Sequence, residues 1–130
     1  MDEYLKPNAS FFRLYDEYNK YGSLVIAYDF DNTVYDFHKK GNTYKQIIEL
    51  LQELKKLNCT CICFTANEDE IFVRQWCGIS GIPLDKLNEN PDFFKSKATK
   101  IYYNVLLDDR AGLLQTYQEL KLLTELIKKK

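Results

Sequence analysis

Hydrophobic positions along this chain follow two rhythms, one of helical period and one of short unbroken runs. Phe12, Tyr15 and Tyr18 recur at helical spacing between Asn8 and Lys20, and Gly22 stands where a helix C-terminus favours glycine. Leu24-Val25-Ile26-Ala27-Tyr28 is apolar throughout and leads straight into Asp29, the pattern of a buried strand. Val34 to Asn42 is polar and irregular. Thr43 then reads as the N-cap of a helix with a stripe of Tyr44, Ile47, Ile48, Leu51, Leu54 and Leu57. Cys59 to Phe64 predicts a second strand ending at Thr65, and Glu68 to Trp76 predicts a helix that stops at Gly78. Pro83 and Pro91 mark Gly81 to Phe94 as loop, with a short strand around Leu84 to Leu87. Tyr103 to Leu107 predicts a third clear strand, running into Asp108-Asp109. From Gly112, the positions Leu113, Tyr117, Leu120, Leu123 and Ile127 form the apolar side of a long helix. It closes on Lys128-Lys129-Lys130, a solvated end that complements the helix dipole.

Strands alternating with helices predict an α/β fold: one doubly wound parallel sheet with right-handed crossovers and helices on both faces. No repeat, low-complexity tract or linker interrupts it, so one domain is expected over residues 1–130. Within it lie an N-terminal helix (1–22), a core carrying the motifs (24–114) and a C-terminal helix (112–130).

Composition changes this picture little, with 45% hydrophobic and 28% charged residues, as in ordinary globular domains. A net charge of −1 gives no support to a nucleic-acid surface, although a local basic strip is compatible with it. The start, Met1 to Lys6, has neither a basic nor an apolar leader region, and no apolar run approaches the roughly 20 residues of a membrane span. A cytoplasmic protein is expected. Cys59, Cys61 and Cys63 alternate on one strand face, where neighbours are poorly placed to pair, and their spacing matches no zinc knuckle. With Cys77 they read as buried free thiols.

The informative observation is where polar residues fall. Each apolar strand ends in a functional group: Asp29 with Asp31, then Thr65, then Asp108 with Asp109. Open parallel sheets bind ligands beyond the carboxyl ends of their strands, so these residues should converge. Carboxylates gathered at one point repel one another and call for a cation. Their hard oxygens select magnesium over zinc. Carboxylates, a hydroxyl and a divalent metal suit phosphoryl transfer, in which one carboxylate attacks phosphorus in line.

Asp29-Phe30-Asp31-Asn32-Thr33-Val34 resembles the DxDxT/V signature of the haloacid dehalogenase-like (HAD) hydrolases, at the end of the first core strand. Thr65 in Phe64-Thr65-Ala66-Asn67 is similar to the second motif of that family, and Asp108-Asp109-Arg110 to its acidic fourth motif. The resemblance spans about Leu24 to Leu114. It implies that Asp29 is the nucleophile of a magnesium-dependent phosphatase and forms an aspartyl-phosphate. Asp31 would act as general acid and then base, its backbone carbonyl also binding Mg2+. Thr65 would hydrogen-bond a phosphoryl oxygen. Of the acidic pair, Asp109 is the preferred direct ligand, with Asp108 orienting it or the lysine. Asn32, Thr33, Ala66, Asn67 and Arg110 complete the substrate-binding set, Thr33 by bracing the loop. The catalytic lysine of the third motif is drawn from Lys95, Lys97 and Lys100. Lys100, eight residues before Asp108, is preferred and Lys97 is the runner-up.

Plainer readings compete at several positions. Asp29-Phe30-Asp31 alone could be a turn, but a turn explains neither Thr65 nor the acidic pair. Asp108 to Gly112 could cap the last helix, a role compatible with metal binding. His38 reads as a solvated side chain, Trp76 and Phe72 as core, and Arg74 as a surface arginine. Neither Val34–Asn58 nor Ala66–Thr99 has room for a cap domain with its own core, so the chain resembles capless members. An exposed site fits a large phosphorylated substrate, a nucleotide or polynucleotide end first among them, or closure by a neighbouring subunit. The alternative class is a phosphoryl-binding or receiver-like signalling module without turnover. A receiver carries its acidic pair after the first strand and its phosphoacceptor after the third, the reverse of the order here.

Overall fold

The computed structural model describes residues 2–129. After a short 3-10 turn at Glu3–Leu5 come α1 (Ala9–Tyr21), β1 (Val25–Tyr28), α2 (Lys45–Lys56), β2 (Thr60–Cys63), α3 (Glu70–Ser80), β3 (Lys86–Leu87), β4 (Val105–Leu107) and α4 (Leu113–Lys128). The four strands form one parallel sheet in the order β3-β2-β1-β4. The chain is therefore an α/β protein with β1 in the middle, as its apolar run requires: all four β1 residues are buried.

Alternation along the strands sorts the core into two faces. Ile26, Tyr28, Cys61, Cys63 and Leu107 pack with Leu14 of α1, Leu50, Leu51 and Leu54 of α2, Val73 and Cys77 of α3, and Leu120 and Leu123 of α4. The opposite face presents Val25 and Ile62, which pack with Ile101, while Tyr102 and Tyr103 lie against them. Both faces are covered, but by different means: helices gather on one, and the segment before β4 lies on the other. The four cysteines are free and buried, and burial pushes the Cys59 thiol up to about 11 and that of Cys61 to about 12. They are apolar packing rather than nucleophiles.

Several local expectations are corrected. Phe12 is 57% exposed, because Leu14 with Phe11, Tyr15 and Tyr18 forms the inward side of α1. Leu50 belongs to the stripe of α2, and Tyr44 at φ +53 stands in the N-cap position of that helix, while Thr43, one residue earlier, still accepts Lys45 N–H on Oγ1 at 3.4 Å. Gly78 sits inside α3, which runs on to a left-handed Gly81 whose N–H reaches Cys77 O. The last helix is entered through Gly112 at φ +67, so Asp108 and Asp109 do not cap it. The lysine end is anchored in part, since Lys121 and Lys128 both pair with Glu53 of α2 at 3.1 Å; Lys130 lies outside the described residues.

The short β3 is pinned to its neighbours by one side chain. Asp85 accepts from Cys61 N–H at 2.7 Å and from Lys55 Nζ at 2.7 Å, tying the start of β3 to both β2 and α2. Asp85→Ala leaves the Cys61 N–H without its partner. It should lower stability by about 1–3 kcal/mol in urea unfolding, whereas Lys55→Ala should cost less, as partly exposed ion pairs do.

Candidate active site

Strand register builds the site. Tyr28 is level with Cys63 on one side and Leu107 on the other, so the next residues, Asp29, Phe64 and Asp108, emerge side by side at the carboxyl edge. Two ladder bonds extend past the strands and hold that edge: Asp29 N–H donates to Leu107 O at 2.9 Å, and Phe64 N–H to Tyr28 O at 2.8 Å. Asp29, Phe64, Thr65, Ala66, Asp108 and Arg110 line an open pocket of about 430 Å³.

Carboxylate oxygens of Asp29, Asp108 and Asp109 all lie within 4.8 Å of one another. Among the described residues, no lysine or arginine forms an ion pair with any of them. Asp29 and Asp108 are half-buried and Asp109 is exposed. The Asp29 carboxyl is pushed up from 3.8 to about 7. Burial is the largest cause; the Phe30 backbone N–H works against it, and the Asp108 charge and the hydrogen bond and charge of Asp109 add to it. Three hard-oxygen donors without an ion-paired cation among the described residues could hold a metal ion. One Asp108 oxygen accepts from Arg110 N–H at 2.8 Å, while the Asp109 carboxyl shares a hydrogen bond with Asp29.

The loop after β1 is wound around one carbonyl. Phe30 O accepts from the N–H groups of Thr33, Val34 and Tyr35 at 3.0–3.3 Å, with Asn32 at φ +61 making the turn. Asp31 is thereby set beside Tyr35 in an isolated bridge. Its carboxylate is outside the cluster of three, with Oδ1 at 3.5 Å from Asn67 Nδ2. Thr33 is fully buried, and its Oγ1 accepts from Asp109 N–H at 3.2 Å. It joins the loop after β1 to the loop after β4, which makes it a brace with no exposed surface for substrate. Asn32 donates its backbone N–H to Tyr35 O and does not line the pocket.

The segment after β2 is an ST turn: Thr65 Oγ1 accepts from Asn67 N–H at 3.1 Å, and Asn67 Oδ1 from Asp69 N–H at 2.9 Å. Asn67 thus touches Thr65, Asp31 and the start of α3 at once. Asn88, which sequence reasoning missed, holds the other side. Standing at φ +54 directly after β3, it donates N–H to Cys63 O and accepts Thr65 N–H on Oδ1, both at 2.8 Å. Its only signal in the sequence is an Asn following a two-residue strand, too short to be distinctive.

The expected lysine is not brought to the acidic cluster. Lys100 is exposed and, like Lys97, has no ion pair among the described residues; Lys95 and Lys97 line a different cavity. Arg110 is the cation that lines the Asp29 pocket, and Arg74 is exposed and outside it. Phe72 and Trp76 pack on Tyr35, with ring centroids 5.1 and 5.0 Å away, and are core-side residues. His38 is exposed beside Phe37.

No protein-family profile and no curated protein matches the chain. A solved structure described as the conserved protein coded by a locus from Bacteroides thetaiotaomicron is similar, with a TM-score of 0.62 and 22% identity. The match covers 82% of this chain and 91% of that one. It establishes the shared α/β fold. Among the described residues no helix is long and apolar enough to cross a membrane.

The raised Asp29 carboxyl has a consequence for stability. Between about pH 4 and about 7 the folded chain holds a proton on Asp29 that the unfolded chain has lost. This group's contribution therefore favours folding least above pH 7. In EDTA, wild type should lose stability relative to Asp29→Asn as pH rises from 4 to 7.5, and magnesium should reverse that loss at pH 7.5. Parallel urea midpoints for the two proteins across that range would contradict the assignment.

Proposed function

We propose that this chain is a magnesium-dependent phosphomonoester hydrolase of the HAD type, acting through an aspartyl-phosphate on Asp29. The observation that carries the reading is the convergence of Asp29 with Asp108 and Asp109 inside 4.8 Å, beside a pocket also lined by Thr65 and Arg110. Asp29, Asp109 and the Asp31 carbonyl would hold the metal, which supplies charge neutralisation for the phosphoryl group. Asp108, tied to Arg110 N–H, would orient Asp109.

An Asp29 oxygen attacks phosphorus, the ester P–O bond breaks, and Asp31 gives its proton to the leaving oxygen. Water then attacks the phosphorus of the aspartyl-phosphate, its proton passes to Asp31, and the P–O bond to Asp29 breaks to release phosphate. Asn67 steadies Asp31 during both proton transfers, and Arg110 offers the phosphoryl oxygens a positive charge. Lys100 would add to that charge by swinging inward from its exposed position.

A second reading, phosphoryl binding without turnover, is favoured by one observation: among the described residues no lysine forms an ion pair with Asp29. One experiment separates them. Phosphate release from p-nitrophenyl phosphate, nucleotides, sugar phosphates and phosphorylated oligonucleotide ends is measured with magnesium, with EDTA and with Asp29→Asn. The hydrolase reading expects magnesium-dependent release that falls about 10³-fold or more in Asp29→Asn. Asp31→Asn should cost about 10²–10⁴-fold and let the phospho-enzyme accumulate. Lys100→Ala should cost more than Lys97→Ala. Magnesium and phosphate binding with no release from any substrate would sink the hydrolase and leave the binding module.

A further inference from the structure

Beyond Thr65 the sheet edge opens into a larger cavity, about 680 Å³, walled by the segment that links β3 to β4. A hydrogen bond joins its wall to that of the Asp29 pocket: Asn88 lines the cavity, and its Oδ1 holds the backbone N–H of Thr65, which lines the pocket. A molecule with its phosphoryl group at Asp29 therefore has this cavity beside it for the rest of its structure.

The chemistry of the walls is selective. Lys86 is neutralised by Asp92 at 2.8 Å. Lys95 and Lys97 have no ion pair among the described residues, although the Lys95 charge is felt by Asp92; with Glu89 included, three wall lysines face two wall carboxylates, a positive excess in a chain whose net charge is −1. Asn88 and Asn90 spend their Oδ1 atoms on Thr65 N–H and Tyr102 N–H. Their Nδ2 groups make no hydrogen bond among the described residues and remain as donors. Phe94 lines the same cavity, 36% exposed, with its ring 5.0 Å from Tyr102 and tilted by 34°. The walls are also held in shape. Pro91 and Ile101 are buried, and Phe94 N–H donates to Pro91 O at 3.0 Å.

Unpaired cations with amide donors fit an anionic oxygen group, and an open ring face fits a planar base. We infer that this cavity receives the leaving group of the substrate, and that the leaving group is a nucleoside bearing a second phosphate. Lys95 and Lys97 hold that second phosphate and Phe94 stacks on the base. This rests on the phosphohydrolase reading for the word "leaving"; binding in the cavity does not.

The probe is adenosine 3′,5′-bisphosphate, compared with AMP and with fructose 1,6-bisphosphate. Calorimetry uses the Asp29→Asn protein with magnesium, so that the ligand stays intact. The bisphosphate should bind at least tenfold more tightly than AMP. Adding Lys95→Ala and Lys97→Ala should remove that advantage while leaving AMP within twofold. Both lysines are exposed, so folding should survive; matching melting temperatures would establish it. In the active protein the double substitution should raise KM for the bisphosphate about tenfold and leave kcat/KM for p-nitrophenyl phosphate within twofold. Equal affinity for the bisphosphate and AMP overturns the inference. So does an equal loss on p-nitrophenyl phosphate, which would put the lysines on the reacting phosphoryl group. Equal binding of the sugar bisphosphate overturns the base contact, as would a Phe94→Ala protein with unchanged affinity. Lysine-dependent binding with no turnover of any substrate would sustain the cavity assignment and overturn the hydrolase; turnover without preference for a second phosphate would do the reverse.

Discussion

Pairing of β1 on both sides is the constraint from which the rest of this molecule follows. Because Tyr28 is level with both Cys63 and Leu107, whatever follows each strand must emerge at one edge within a few ångströms of its neighbours. The ladder bonds of Asp29 and Phe64 carry that alignment one residue further. Tyr28 itself is fully buried, and its hydroxyl donates to Pro83 O at 2.7 Å, which ties the central strand to the approach of β3. A register shift of one residue would move the β1 side chains packed against the helices to the opposite, differently shaped face, so the position of Asp29 is guarded by the hydrophobic core.

The same alignment creates an electrostatic problem. Asp29 and Asp108 are brought together by backbone geometry, not by mutual attraction, and Asp109 joins them because Thr33 Oγ1 holds its N–H. The Asp29 carboxyl is raised first by its burial and further by the Asp108 and Asp109 carboxylates beside it. Stability alone offers no reason to keep three unpaired carboxylates at a sheet edge. A bound cation and a phosphoryl group that needs it would turn the cost into binding energy.

Legibility in the sequence divides along the same line. Elements built by periodicity could be read: the central strand, the alternating cysteine face of β2, and helices on the stripes of α1, α2 and α4. Asp29, Thr65 and Asp108 could be placed because each ends an apolar run, and strand ends of a parallel sheet share an edge. Details set by tertiary contacts could not. Leu14 displaced Phe12 from the inward side of α1, and Gly78 was absorbed into α3 because Gly81 supplies the left-handed end. Asn88 has no local signature, since its role comes from a strand of two residues that exists only by pairing with β2. The lysine suffered the same fate: a family-like separation from Asp108 pointed to Lys100, but nothing between β3 and β4 repeats with a period that would fix where its side chain goes.

That segment, residues 88–104, is the part of the chain where sequence patterns say least and where substrate selection is proposed to lie. It contains neither helix nor strand, and it exceeds the roughly 12–15 residues beyond which irregular connections in compact domains are uncommon. It is nonetheless ordered by specific contacts. Ile101 packs on Val25 and Ile62, Asn104 exchanges hydrogen bonds with Val25 at 2.6 and 2.9 Å, and Asn90 holds Tyr102 N–H at 2.7 Å. A helix crossing this face would cover it with a regular ridge of side chains and would leave less room for a concave wall. The irregular crossing covers the same apolar strand residues with Ile101 and two tyrosines, and frees the stretch before them to curve around the 680 Å³ cavity. Covering the sheet and shaping the recess beside Thr65 are thus two results of one departure from the helical crossover. That departure gives the proposed substrate selection its room to arise.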